Sequence, residues 1–81
     1  MDEETRLEAN ALTASRKAEE QRQAGTLTRF VAWQCAAYVY AYAGFWNARV
    51  LETGASEDVI QWDFWTRAGV AWEEEANRCQ V

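Results

Sequence analysis

Histidine and proline are both absent from this 81-residue chain, and glycine (four) and cysteine (two) are sparse. Without histidine the chain lacks the side chain that most often serves as general base, metal ligand and switch near neutral pH. The Glu-x-x-His element that holds paired metals in helical bundles cannot occur either. Without proline no helix is broken from within, so glycine is left as the main punctuation. Cys35 and Cys79 match no zinc or redox spacing and are expected as reduced, largely buried thiols. No Gly-rich phosphate loop, nucleophile elbow or calcium loop is present. Glu73, Glu74 and Glu75 are consecutive, so on a helix they point about 100° apart and do not converge on one metal or substrate atom. Neither an enzyme nor a cofactor- or metal-binding protein is expected.

A basic stripe is missing as well. Thirteen acidic residues against eight basic ones give a formal charge of −5, and the arginines are scattered from Arg6 to Arg78. Direct nucleic-acid binding, which rests on clustered positive charge, is not expected. The opening Met-Asp-Glu-Glu has neither the basic region nor the apolar core of a secretory signal. A cytoplasmic protein is the expectation, in the host cytoplasm if the source is viral.

What the chain does have is aromatic rings. All eleven, five of them tryptophan, lie between Phe30 and Trp72. Gly25 and Gly54 divide the chain into three stretches of similar length, each with the composition of a helix. The boundaries read as helix 1 over 2–24, helix 2 over 28–53 and helix 3 over 57–80, with Thr26 or Thr28 capping the second and Ser56 the third. Connections this short place successive helices antiparallel. The expected fold is therefore all-α, a single domain over 1–81. It is a three-helix bundle built on an antiparallel helical hairpin and completed by oligomerisation, because a core this small rarely suffices alone.

Helix 1 carries a thin apolar stripe, Leu7, Ala11, Ala14 and Ala18, compatible with a frayed helix or with one docked along its length. Helix 2 has no charge between Arg29 and Arg49 and is apolar on nearly every side. On a helical wheel its small residues Ala37, Ala41, Gly44 and Ala48 form a trough, flanked by Trp33, Tyr40 and Leu51 on one side and Phe30 and Phe45 on the other. The uncharged run 30–48 has the length of a membrane span, but it lacks leucine and isoleucine and scatters its aromatics through the middle. The alternation Tyr38-Val39-Tyr40-Ala41-Tyr42 suits a strand, yet the surrounding alanines favour helix. In helix 3 the apolar arc holds Ile60, Phe64, Trp65, Ala68, Ala71, Trp72, Ala76 and Cys79, with Trp62 and Gly69 at its edge. Folding the second and third helices about Gly54 brings Trp46 level with Phe64 and Tyr38 level with Trp72.

Contact is the activity this composition supports. Tryptophan and tyrosine anchor interfaces, and a domain of this size is not expected to enclose so many rings. The expected contact set is Trp33, Tyr40, Trp46, Trp62, Trp65 and Trp72, edged by Glu57, Asp58, Asp63, Glu73 and Glu74. Such a surface fits another protein with a basic face, typical of proteins that handle nucleic acid, so the leading expectation is an inhibitor or regulator. In size and charge alone the chain is similar to phage-encoded inhibitors of host defence, such as anti-CRISPR or anti-restriction proteins, although no motif carries that likeness. One alternative is a structural homo-oligomer joined through the Ala37, Ala41, Gly44 and Ala48 trough. A second is a small membrane-associated protein that uses residues 30–48 as a span.

Overall fold

The end of each of the first two helices is written into a glycine. The computed structural model describes residues 2–80 and contains α1 (Glu3–Ala24), α2 (Arg29–Thr53) and α3 (Ser56–Arg78). The Asp2 carboxylate accepts the Thr5 N–H at 2.7 Å and starts α1. That bond holds the Asp2 carboxyl below the ordinary aspartate range. Gly25 closes α1 at φ +74°, where the Thr26 N–H reaches back to the Gln21 carbonyl at 2.8 Å. Thr28 caps α2 by accepting the Val31 N–H at 3.2 Å, and Gly54 ends it at φ +63°.

The α2–α3 junction is built differently from the expectation. Ala55, not Ser56, occupies the cap position of α3, and it has no side chain to satisfy the first-turn donors. The bridging role falls to Thr53 and Asp58. The Thr53 hydroxyl donates to the Asp58 carboxylate at 2.6 Å and accepts the Ala55 N–H at 3.1 Å. It also lies 3.0 Å from the Arg49 carbonyl, but its single proton goes to the nearer, charged acceptor.

All three helices pack through α2. Its buried side comprises Ala32, Cys35, Ala36, Val39, Tyr42 and Ala43. The thin stripe of α1 docks there, with Ala11 and Ala18 wholly buried seven residues apart. Methyl groups let α1 lie close, and two polar contacts accompany them: the Tyr42 hydroxyl donates to Glu8 at 3.3 Å, and Ser15 Oγ stands 3.7 Å from Cys35 Sγ.

α3 lies along another side of α2 and buries Asp58, Trp65, Gly69 and Ala76. Arg29 at the start of α2 donates to the Cys79 carbonyl at 2.8 Å, and Tyr40 donates to Glu73 at 2.7 Å. Further along, Tyr42 meets Trp65 with ring centroids 4.9 Å apart. Phe64 meets its own neighbour Trp65 edge to face, with centroids 5.0 Å apart.

The apolar arc of α3 is thus rotated from the one expected. Gly69 sits at the centre of the contact and Ile60 and Phe64 are exposed. The glycine that a neighbouring side chain needs is Gly69, not Gly44: a Cβ on Gly69 would stand 2.6 Å from the Tyr40 ring, and one on Gly44 would meet nothing within 4 Å. With α1 and α3 both on the same central helix, the molecule is a slab of 41 × 26 × 16 Å. Among the described residues no helix is long and apolar enough to cross a membrane, so the span considered for residues 30–48 is not met.

Candidate functional site

The expected contact residues separate into core, clamp and surface. Trp65 is 9% exposed and belongs to the core, which removes it from the contact set. Packing explains this: its ring lies tilted against Tyr42 in the same buried cluster as Ala11, Ala18 and Val39. Trp72 and Trp46 are half-buried, packed against the same cluster. Trp46 contacts Tyr42 and Phe45, and the Arg49 guanidinium lies 5.5 Å from its ring. Its indole Nε1 is buried without a hydrogen-bond partner among the described residues. Tyr40 spans from α2 to α3 as a clamp, its ring over Gly69 and its hydroxyl on Glu73. Accepting that proton, the Glu73 carboxylate pushes the Tyr40 hydroxyl up to about 12, with burial adding to it.

The acidic edge is similarly depleted. Asp58 is buried rather than displayed, because Thr53 holds it against the junction. Asp63 pairs with Arg67 at 3.0 Å on the same helix, and Glu73 is taken by Tyr40. Glu57 and Glu74 are exposed and carry no hydrogen bond or ion pair among the described residues.

The trough, in contrast, is fully displayed. Ala37, Ala41, Gly44 and Ala48 are all exposed on the side of α2 that neither α1 nor α3 covers. Large residues stand at its two ends: Phe30 is 72% exposed, Trp33 40% and Leu51 81%. Sequence reasoning placed Phe30 and Leu51 beside the trough but left them out of the contact set. Their signal was the same spacing of three and four residues that groups the alanines. Trp62, at 38% exposure, borders this face from α3. It precedes Glu73 by eleven residues, about three turns, and so lies on the same flank of α3 as the Tyr40 clamp.

Two open grooves run beside α1. One, of about 350 Å³, lies between α1 and α3 over Trp72, where Arg22 pairs with Glu19 and Arg78 with Glu75. The other, of about 290 Å³, lies between α1 and α2 and is lined by Asn10, Thr13, Lys17, Gln34 and Tyr38. The thiol of Cys35 is buried away from both, and burial pushes it up, against a smaller opposing effect of the Ser15 hydroxyl. Among the described residues no three Cys, Asp or Glu side chains are grouped to hold a metal ion. Compared with protein-family models, with curated proteins and with solved structures, the chain matches none.

Proposed function

We propose that this chain is a non-enzymatic protein-contact protein whose working surface is the uncovered face of α2. In this reading α2 and α3 form an antiparallel hairpin that supports the face, and α1 braces it from the opposite side. The observation that carries the proposal is the placement of the uncharged stretch between Arg29 and Arg49. Six of its nineteen residues are buried and eight are exposed, Phe30 among them, and Leu51 just beyond Arg49 continues the exposed side. Complete burial of one such side chain is worth about 1.5–3 kcal/mol. A contiguous apolar patch of that kind on a small, charged chain marks a macromolecular contact.

Site-specific photo-crosslinking in the producing cell tests this reading. A photoreactive residue at Gly44 is expected to give a discrete crosslinked product, and the same residue at Arg67, on the far side of α3, is expected to give none. Equal products from both positions, or none from either, would refute it.

A second reading keeps the acidic inhibitor of a basic surface, of the anti-defence kind. Its support is the charge of −5 and the exposed carboxylates Glu57 and Glu74, unpartnered among the described residues and near opposite ends of α3. Steering of that kind weakens as salt rises. Reversing the charge at Glu57 and Glu74 together leaves the packing intact, so unchanged binding to a basic partner after that change would eliminate the reading.

A further inference from the structure

We infer that the occupant of the α2 face is a second copy of this chain, laid antiparallel across it about a two-fold axis between Ala41 and Gly44. The inference rests on the contact reading above and names the partner. Three observations carry it: the spacing of the face, its charge and its size.

A symmetric dimer requires a self-complementary surface, in which residue i meets j and j meets i. The α2 face has that form. Its small residues occupy the middle and its large ones the ends, Phe30 and Trp33 before Ala37 and Leu51 after Ala48. With the axis midway between Ala41 and Gly44, each Ala41 opposes a Gly44 and each Ala37 an Ala48. Trp33 of one copy then reaches the Leu51 end of the other. Gly44 has nothing within 4 Å of its would-be Cβ, so the centre of the face has room for a backbone to approach closely. Antiparallel packing also sets the two α2 dipoles head to tail, whereas parallel packing aligns them unfavourably.

Charge selects the surface. Each copy carries −5, and carboxylates occur along both α1 and α3. The stretch between Arg29 and Arg49 has no charged side chain, so two copies meet there without opposing carboxylates. A basic partner would find a carboxylate only at the end of this face, where exposed Glu52 follows Leu51.

Size sets the strength. From Phe30 to Leu51 the face is ~32 Å long and one helix diameter, ~12 Å, wide, a footprint of ~400 Å² per copy. The projecting rings at its ends and Trp62 at its border raise the total above that of a bare helix pair, to ~1,000 Å². That is the lower limit for specific association. The dimer is therefore a dissociable one, and its population rises with concentration.

Two measurements test the proposal. Light scattering across a dilution series is expected to show a monomer–dimer equilibrium, and Ala41→Glu is expected to shift it at least tenfold toward monomer with helicity unchanged. Ala37→Cys and Ala48→Cys, each in a Cys79→Ser background, then report orientation. Antiparallel packing gives disulfide-linked dimer when the two variants are mixed and little from either alone, because facing Cα atoms must come within about 7 Å. Crosslinking of each variant with itself, or none in the mixture, would overturn the orientation. A monomer at every concentration would overturn the second copy as partner. The contact reading itself would survive that result if the Gly44 photo-crosslink still formed, to a protein of different mass.

Discussion

Alanine substitutions at two mid-helix glycines are expected to move stability in opposite directions. Neither Gly44 nor Gly69 has a positive φ, so alanine at each gains helix propensity of about 1 kcal/mol without backbone strain. At Gly44 nothing opposes that gain, since the new Cβ meets no atom within 4 Å. At Gly69 the Cβ would stand 2.6, 2.7 and 2.9 Å from Cε1, Cδ1 and Cζ of Tyr40. Carbon atoms pack at about 3.5–4.0 Å, so the ring must retreat by about 1 Å. It cannot do so freely, because its hydroxyl is bonded to Glu73 at 2.7 Å on the same helix as Gly69. Losing a hydrogen bond to a charged acceptor costs about 1.5–3 kcal/mol, and overpacking typically costs about 1–3 kcal/mol. Tyr40 is half-buried, which favours the lower ends of both ranges. After the propensity gain, Gly69→Ala is expected to destabilise by about 1–3 kcal/mol and Gly44→Ala to stabilise by about 1 kcal/mol. In a chain of this length each kcal/mol moves Tm by about 4–8 °C. Thermal unfolding followed by circular dichroism, at a dilution where the chain is monomeric, reads both changes. Adding Tyr40→Leu should remove most of the Gly69→Ala cost. A Gly69→Ala variant as stable as the parent would refute the close approach at that position.

Three further outcomes are expected. The Tyr40 hydroxyl is pushed up to about 12 from an ordinary value near 10, so its neutral form is favoured on folding. Its contribution is complete below about pH 10 and is lost between about 10 and 12. Urea midpoints across that window should fall less steeply for Tyr40→Phe, although some slope persists because burial also raises Tyr42. At the junction, Asp58→Ala and Thr53→Ala are each expected to cost about 1–3 kcal/mol. They should be strongly non-additive in a double-mutant cycle, and simple additivity would deny the 2.6 Å bond any energetic weight. Thiol labelling of the native protein should modify one cysteine rapidly, the half-buried Cys79. Cys35, 1% exposed, should react only on unfolding, and two fast thiols would contradict its burial.

The helical class, the number of helices and the glycine ends of the first two were legible from residues alone, because those features are local. Gly25 and Gly54 take a positive φ that other residues resist, and Thr28 supplies its hydroxyl to a donor three residues away. The junction before α3 was misjudged where a local rule met a longer-range bond. Ser56 has a capping side chain, but the Thr53–Asp58 bridge defines the turn and draws Asp58 inward.

What sequence could not decide was rotation about each helix axis. α2 is apolar almost all round, so its wheel does not say which side is core, and only the packing of α1 and α3 puts Val39 and Tyr42 inside and Ala41 and Gly44 outside. In α3 the contact line runs through Gly69, whose missing Cβ admits the Tyr40 ring, and that rotation carries Phe64 and Ile60 to the surface. Local composition determined where this chain forms helices. Which of its aromatic and small residues became core, and which were left at the surface, was decided by how the three helices pack.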